Sequence, residues 1–293
     1  MIKGAVPWPT TTGELAFDVL RQQATVFAQH VTQAQLGADP EHVHDARVAT
    51  RRMRAALRLF EDVLPNIAGL DDELRWIASQ LGNVRDLDVQ LKRLPETAQD
   101  LGLDSQLTPY VGWLEQRRRA ARSEFDAAFQ SDRFIALAEQ LRALNQLEPC
   151  VELLLEEDAP RRLRRAYKKL RKRGDGLSPD SPTEAFHRAR IGGKRLRYAA
   201  EFFEPLYGKP ARRLIDAATD VQDLLGDHQD SVVNRQRIDD AVRTAGASWP
   251  PETLIALGQL IQLEVQHAEK LREQFDPAYR KLKAAYRGLS REF

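Results

Sequence analysis

Apolar side chains recur along most of this chain at intervals of three to four residues, the spacing that places them on one face of a helix. No segment keeps the alternation of apolar and polar residues that is typical of a half-buried strand. The pattern therefore predicts an all-α protein. Residues that favour helix starts and ends divide it into nine helices, expected at about 11–37, 40–64, 70–94, 108–130, 132–147, 160–173, 182–207, 210–242 and 251–288.

The starts of the first two helices carry the clearest local signals. Thr11 with Glu14 three residues later predicts a capping box, in which each side chain bonds the other's backbone N–H. Asp39 before Pro40 supplies an N-cap and a proline at the first helical position. We expect the second helix to stop at Leu64, because a proline follows it.

Short motifs recur in the same order in the two halves of the chain. A Leu-Gly pair followed four residues later by Asp occurs at 81–86 and again at 225–230. Phe-Asp-Ala-Ala-Phe at 125–129 matches Phe-Asp-Pro-Ala-Tyr at 275–279. Such spacing indicates one internal duplication. With short connections between helices, it predicts two antiparallel four-helix bundles, one in residues 1–147 and one in residues 148–293.

Two of the predicted helices carry a histidine followed by cations at helical spacing, and the pattern in the second half of the chain repeats that in the first. At about 100° per residue, each set falls within an arc of roughly 80°. Neighbouring cations without carboxylates between them repel one another, so two such rows predict a bound polyanion. The first basic row is His44, Arg47, Arg51, Arg54 and Arg58, and the second basic row is His187, Arg190, Lys194 and Arg197.

The overall charge of +1 gives no sign of an anion binder, but the distribution of charge does. Nine of the thirteen residues at 161–173 are Lys or Arg, around a narrow apolar seam that predicts a docked helix. We expect this helix to extend the binding surface through Arg161, Arg165, Lys168, Lys169 and Lys172. Whether the basic cluster at 117–122 joins that surface is left open.

Arg52 and Arg195 differ from the rows because their helical angle places them on the apolar side. A buried guanidinium needs a carboxylate partner. The repeated aspartates Asp86 and Asp230, on neighbouring helices, are the expected partners. The two histidines that open the rows are instead expected to donate to phosphate oxygens, and bound polyanion would raise their pKa.

Two other classes of function are weighed against a polyanion binder. Nucleic-acid binding stays an alternative, although the rows hold almost no aromatic side chains that would stack on bases. The His44-Asp45 dipeptide is found in metal-dependent phosphohydrolases, but the second half has Arg188 in place of the aspartate. We find no P-loop, nucleophile elbow or zinc-ligand spacing. The sequence therefore predicts a binder with no metal and no catalytic residues.

The remaining composition points to a protein of the cytoplasm. Cys150 is the only cysteine, so no intramolecular disulfide forms, which suits a reducing compartment. The segment from Met1 to Phe17 lacks the apolar stretch of a signal peptide, and no segment approaches the length of a membrane span.

The segments 44–60, 81–89, 187–203 and 225–230 resemble the CHAD family, the conserved histidine α-helical domain. The resemblance covers nearly the whole chain. It implies two four-helix bundles around a basic central groove that binds inorganic polyphosphate, with no established catalytic activity and no cofactor. Whether the protein associates with polyphosphate or storage granules is left open by the sequence. Some relatives carry an added triphosphate-binding tunnel domain, which we do not expect within these residues.

Carried over residue by residue, the resemblance assigns ligand contacts to His44, Arg47, Arg51 and Arg54 and to His187, Arg190, Lys194 and Arg197. Lys194 stands where the first half has an arginine, which keeps the charge but removes the bidentate fork. Gln229 stands where the first half has Arg85, so a phosphate role for Arg85 has no symmetric counterpart.

Overall fold

The computed structural model describes residues 8–37, 39–64, 67, 69–149 and 153–293. These residues form ten α-helices, three short 3-10 turns and a single isolated β-bridge between Thr11 and Leu154. The prediction of an all-α protein is confirmed. The helices are α1 Thr12–Leu36, α2 Pro40–Leu59, α3 Leu70–Leu101, α4 Asp104–Phe129, α5 Asp132–Ala143, α6 Leu155–Gly174, α7 Thr183–Phe202, α8 Glu204–Tyr207, α9 Lys209–Ala245 and α10 Pro251–Leu289.

Both predicted helix starts are present. The Thr11 hydroxyl accepts a hydrogen bond from the backbone N–H of Glu14, and the Glu14 carboxylate accepts from the backbone N–H of Thr11. The hydrogen bonds from the backbone of Thr11 and Thr10 lower the pKa of Glu14. Asp39 caps α2 by accepting from the N–H of Glu41 at 2.8 Å. Each cap satisfies backbone donors that have no partner within the helix.

Prolines were less reliable as boundary signals. Pro95, Pro109 and Pro160 all lie inside helices, so α3 ends later and α4 and α6 begin earlier than predicted. The buried faces continue past these prolines, which favours the helix over the one backbone hydrogen bond each proline removes. Conversely, α2 ends at Leu59, and the predicted helix at 182–207 divides at Phe203 into α7 and α8. Pro65 and Cys150 lie outside the described residues.

The helices pack in the same order in the two halves. In the first half α1 packs on α2, α2 on α3 and α3 on α4; in the second half α6 packs on α7, α7 on α9 and α9 on α10. The predicted duplication would produce this correspondence, but the division into two bundles stays a prediction. The buried apolar side chains of both halves form one continuous cluster. None of the described helices combines the length and apolarity needed to cross a membrane.

Two contacts between the halves position the basic helices. The first is between α2 and α7, where Phe60 meets Phe203 edge to face at 6.0 Å between ring centres. The second is a polar network centred on Asp158 in α6, whose carboxylate is buried and accepts from the Thr12 hydroxyl at 3.0 Å. Arg162 joins Asp158 to Asp62 and to the carbonyl of Leu59. The network therefore ties α6 to the start of α1 and the end of α2.

Candidate anion-binding site

The apolar sides of α2 and α7 fix the direction of their basic rows. Ala49, Met53 and Ala56 of α2 are fully buried, as are Ala189 and Leu196 of α7. The rows occupy the other faces, where every cation keeps some exposure to solvent. Because α2 and α7 contact each other, the two rows lie on neighbouring helices of the same surface.

The middles of the two rows come together. Burial lowers the pKa of Lys194 in α7 to about 6, and the nearby charges of Arg51, Arg190 and Arg47 contribute to this shift. Burial also lowers the pKa of Arg190, and the charges of Arg51 and Arg47 act in the same direction, opposed by Asp230 and Asp86. Four cations from two helices are thus close enough to disfavour one another's charge. We call Arg47, Arg51, Arg190 and Lys194 the central cluster.

Few carboxylates balance this cluster. Arg47 lies 3.6 Å from Asp86, measured between guanidinium nitrogen and carboxylate oxygen. The equivalent aspartate, Asp230, acts to raise the pKa of Arg190 but forms no ion pair with it within 4.0 Å. The Nε of Arg190 is buried and has no hydrogen-bond partner. Arg51 and Lys194 make no ion pair with any residue that the structure describes. The central cluster therefore has an excess of positive charge.

The repeated Leu-Gly motifs lie directly behind the central cluster. A Cβ atom at Gly82 would stand 3.5 Å from Arg47 Nε, and one at Gly226 would stand 4.0 Å from Arg190 Nε. In each half, the glycine and the aspartate of the motif thus lie near one arginine, which is Arg47 in the first half and Arg190 in the second. This is a structural role for the motifs that their sequence did not show.

The prediction that Asp86 and Asp230 pair with Arg52 and Arg195 was wrong, because those aspartates face Arg47 and Arg190. Arg52 instead lies 3.0 Å from Glu201 of α7, as an ion pair without hydrogen-bond alignment. Its angle on α2 directs it to the boundary with α7 rather than into its own half.

Arg195 occupies the position equivalent to Arg52 and finds no carboxylate among the described residues. Burial lowers its pKa, and the charges of Arg173 and Arg58 lower it further. Its Nε is buried without a hydrogen-bond partner. Arg58 occupies the position in the first basic helix that Glu201 occupies in the second. The counterpart of the Arg52 to Glu201 ion pair is therefore a repulsion between two cations.

The remaining cations of the rows already have acceptors. Arg54 and Arg58 both bond Asp71, at 2.9 and 3.0 Å. Burial raises the pKa of Asp71, but hydrogen bonds from these two arginines outweigh it and lower the pKa overall. Arg197 pairs with Glu201 at 2.7 Å and donates to Gln222 at 2.9 Å. These three would have to share or exchange partners to hold an anion.

The histidines that open the rows differ in their surroundings. His187 is exposed and its Nδ1 lies 2.8 Å from Gln229 Oε1, so the residue that replaces Arg85 orients this ring. His44 is partly exposed and makes no hydrogen bond with the described residues. His228 is different, because it is buried and accepts from Arg272 at 3.0 Å. Burial and Arg272 lower the pKa of His228 to about 4, so it stays neutral at physiological pH.

On α6 the predicted site residues separate into two groups. Arg161 is held by Asp158 at 2.7 Å and by Asp62, within the network that joins the halves. Arg165, Lys168, Lys169 and Lys172 are exposed. Burial lowers the pKa of Lys169, followed by the charges of Arg165, Arg195 and Arg173. Arg165 and Lys169 therefore extend the positive surface of α7.

The basic cluster at 117–122 serves the fold of the first half. Arg122 donates to the carbonyl of Ala34 at 2.8 Å and to that of Gln35, which satisfies the end of α1. Arg118 pairs with Asp88 and Arg119 with Glu115. These arginines are already engaged away from the basic rows.

Sequence reasoning missed three side chains at the start of α2 whose positions would allow them to hold a metal ion together. Ligand atoms of Glu41, His44 and Asp45 all lie within 4.8 Å of one another. His30 of α1 lies beside the carboxylate of Asp45, and His42 lies beside His30. The spacing of i, i+3 and i+4 at 41, 44 and 45 was the available signal, since it places side chains on one helix face.

The fold and the site together define an all-α protein with two neighbouring basic rows, and comparison with known proteins gives its family. The model of the CHAD domain matches residues 18–239, and this chain belongs to the CHAD family. It is 34% identical over 258 residues to the uncharacterized proteins MT2285 and Rv2226 of two Mycobacterium tuberculosis strains. The match covers 84% of this chain and 48% of each relative, so the chain spans about half their length.

Two solved structures share the fold. The crystal structure of the CHAD domain from the plant Ricinus communis is 26% identical, with a TM-score of 0.78 over 96% of this chain and 94% of that chain. PptA from Streptomyces chartreusis is 24% identical, with a TM-score of 0.73 over 93% of this chain and 100% of that chain. The second likeness concerns the fold alone.

Proposed function

We propose that this protein binds linear inorganic polyphosphate across the basic rows of α2 and α7, without catalysing a reaction. The observation that carries the proposal is the central cluster, in which Arg51 and Arg47 lie beside Lys194 and Arg190 with few carboxylates to balance them. A fold that holds these charges together bears their repulsion when nothing is bound. Bound phosphates would turn that repulsion into attraction.

The burial of Lys194 favours an anion of high charge density. A pKa of about 6 means that at neutral pH its amine is mostly uncharged in the free protein. A polyphosphate oxygen beside it would favour the ammonium form and would accept its hydrogen bonds. Arg47, Arg51 and Arg190 offer planar forks that suit phosphate oxygens. Donors from both helices can thus engage successive phosphates of one chain.

A linear ligand would also explain the spread of unpaired charge beyond the central cluster. Arg195 lies next to Arg173 and to Lys169 on α6, and Arg165 follows on the same face. A compact anion such as pyrophosphate would reach only part of this surface. A longer chain could contact the central cluster together with Arg195, Lys169 and Arg165. In the cell, we propose that such a protein accompanies cytoplasmic polyphosphate, including storage granules.

The test is calorimetric titration with long-chain polyphosphate, pyrophosphate and single-stranded DNA of matched charge, at two salt concentrations. Polyphosphate should bind most tightly, and its affinity should fall steeply as salt rises, because counterions are released on binding. Tighter binding of DNA, with preference among bases, would contradict the proposal and favour nucleic-acid binding.

Variants locate the site. Reversing Arg51 and Lys194 together to Glu should abolish polyphosphate binding, since it places two negative charges in the central cluster. Reversing Lys270 and Lys281 to Glu is the matched control, because both lie exposed on α10 and the change in net charge is the same. Equal binding by the two double variants would show that the rows are only solvated helix faces.

A further inference from the structure

We propose that Lys194 is a site of acylation by acyl phosphates, which the arginines of the central cluster would hold by their phosphate group. An acyl phosphate combines the kind of anion that this cluster fits with an acyl group that amines attack. The acylation needs only the central cluster, whereas its effect on polyphosphate binding rests on the proposed function.

The position of Lys194 brings an amine and an anion-binding group together. Arg190 precedes Lys194 by one turn of α7, and Arg47 and Arg51 lie one turn apart on α2, which contacts α7. The charges of all three arginines act on Lys194. Since guanidinium forks suit phosphate oxygens, a phosphate group held by these arginines would lie beside the lysine amine.

The amine of Lys194 has no competing partner among the residues that the structure describes. Lys194 is half-buried and makes neither an ion pair nor a hydrogen bond with them. Burial lowers its pKa to about 6, and the nearby arginines add to this effect. At pH 7 about nine in ten of these amines are therefore uncharged, against roughly one in 2,500 for an exposed lysine. Only the uncharged amine has the lone pair that attacks an acyl carbon.

The first half of the chain does not offer the same chemistry. Arg51 occupies the position equivalent to Lys194, and its guanidinium stays charged. Lysine at this position keeps a positive charge available but adds a nucleophile. The two basic rows therefore hold a single lysine nucleophile, with arginines on both helices beside it.

The reaction transfers the acyl group from oxygen to nitrogen. The lone pair of Lys194 Nζ attacks the acyl carbon and forms a C–N bond. The C–O bond to phosphate breaks, and the phosphate leaves with that electron pair and takes up the proton that the nitrogen releases. The arginines would stabilise the negative charge that develops on the departing phosphate. The products are a neutral amide at Lys194 and inorganic phosphate.

Acylation and polyphosphate binding would exclude each other. The amide of an acylated Lys194 cannot be protonated, so the central cluster would lose one positive charge that polyphosphate needs. Conversely, bound polyphosphate would occupy the arginines and favour the ammonium form of Lys194, which is not a nucleophile. The level of acyl phosphate would thereby regulate the binding of polyphosphate.

The experiment compares lysines within one molecule. The full chain is incubated with acetyl phosphate at pH 8 and digested at acidic residues, and mass spectrometry measures acetylation of Lys194 and of Lys270 and Lys281, which lie exposed on α10. Lys194 should react at least about tenfold faster than the other two. With p-nitrophenyl acetate, a neutral acyl donor, its preference should be at least about threefold smaller, because the arginines have no phosphate to hold. Equal rates at the three lysines with acetyl phosphate, or the same preference with both donors, would overturn the proposal.

Arg51→Gln tests the role of the arginines. It should slow acetylation of Lys194 by acetyl phosphate more than about threefold, and acetylation by p-nitrophenyl acetate less. Arg119→Gln is the matched control, because Arg119 lies exposed on α4 and pairs with Glu115. Circular dichroism of both variants confirms that the helices are intact. An equal effect of Arg51→Gln on the two donors would contradict capture through the phosphate.

Polyphosphate separates this proposal from the proposed function. Excess long-chain polyphosphate should protect Lys194 but not Lys270, and acetylation of Lys194 should weaken polyphosphate binding several-fold. If Lys194 is acetylated selectively although polyphosphate does not bind, the proposed function fails and the acylation site stands. If polyphosphate binds but Lys194 reacts no faster than Lys270, the proposed function stands and the acylation site is refuted.

Discussion

Lys194 shows at the scale of one residue how the fold prepares a charge for a ligand. Its pKa of about 6 results first from burial and then from the arginines around it. The negative charge of a bound polyanion would counteract both the repulsion from the arginines and the cost of burying the ammonium, so the pKa of Lys194 would rise. Protonation of Lys194 and binding of polyphosphate should therefore be linked.

Polyphosphate binding at pH 8 is expected to take up close to one proton at Lys194, since the free amine is mostly neutral there and the bound one is charged. Affinity should consequently fall as pH rises above about 6. Calorimetry in two buffers of different ionisation enthalpy measures the uptake. Lys194→Arg supplies the control, as a guanidinium stays charged at this pH. Equal proton uptake by both proteins would mean that Lys194 is already protonated when free.

Arg51 and Arg52 are adjacent in sequence but should respond differently to truncation. Arg51→Ala removes a like charge from the central cluster, so stability should stay the same or rise slightly while polyphosphate binding weakens. Arg52→Ala removes one partner of Glu201, which keeps Arg197 at 2.7 Å. We expect a loss of about 1 kcal/mol, below the roughly 3–5 kcal/mol for a stranded buried charge. Urea unfolding and polyphosphate titration of both variants test this prediction. A lower stability for Arg51→Ala than for Arg52→Ala would contradict it.

The partner of Arg52 shows which part of the site the sequence could not supply. Helical angles correctly separated Arg52 from the row of His44 and Arg47, because that separation depends only on α2 itself. Its partner Glu201 is distant along the chain, on a helix of the other half. Pairing of α2 with α7 is a tertiary contact, and no spacing within one helix predicts it.

At the scale of elements, the accuracy of the sequence prediction depended on the kind of signal. Caps such as Thr11 with Glu14 act through local hydrogen bonds, so they located the helix starts correctly. Prolines weaken a helix by a few kcal/mol, and packing of the surrounding turns can outweigh them. Thus α6 begins at Leu155, which is buried and held by a backbone hydrogen bond to Thr10 at 3.0 Å.

The attachment of α6 rests on Asp158, and this gives a prediction about stability. Asp158→Asn should lower the free energy of unfolding by about 3–5 kcal/mol, because Arg162 would keep a buried charge with a weakened partner. Asp72→Asn is the control, since Asp72 is 70% exposed and pairs only with Arg75 among the described residues. That change should cost less than about 1 kcal/mol. Similar denaturant midpoints for the two variants would show that the Asp158 network adds little.

At the scale of the whole molecule, the continuous apolar core and the contacts of α2 with α7 and α4 with α10 join the halves. We therefore expect both halves to unfold together. Variants that keep only Trp76 or only Trp249 would report on the first and second halves by fluorescence. Their urea transitions should coincide. Separate midpoints would instead indicate two independently stable domains, divided at the predicted boundary after residue 147.

The arginines at 52 and 195 also bear on how such a chain could have evolved. If the halves descend from one ancestral sequence, an ancestor that assembled from two identical copies had to make the same contact twice. Here Arg52 forms an ion pair with Glu201, whereas Arg195 experiences the like charge of Arg58. Once the copies were encoded as two halves of one chain, these two sites were free to diverge, one into an ion pair and the other into a site that keeps its positive charge. Neither half has remained equivalent to its partner, so two copies of one half would not reproduce the contacts of the present chain.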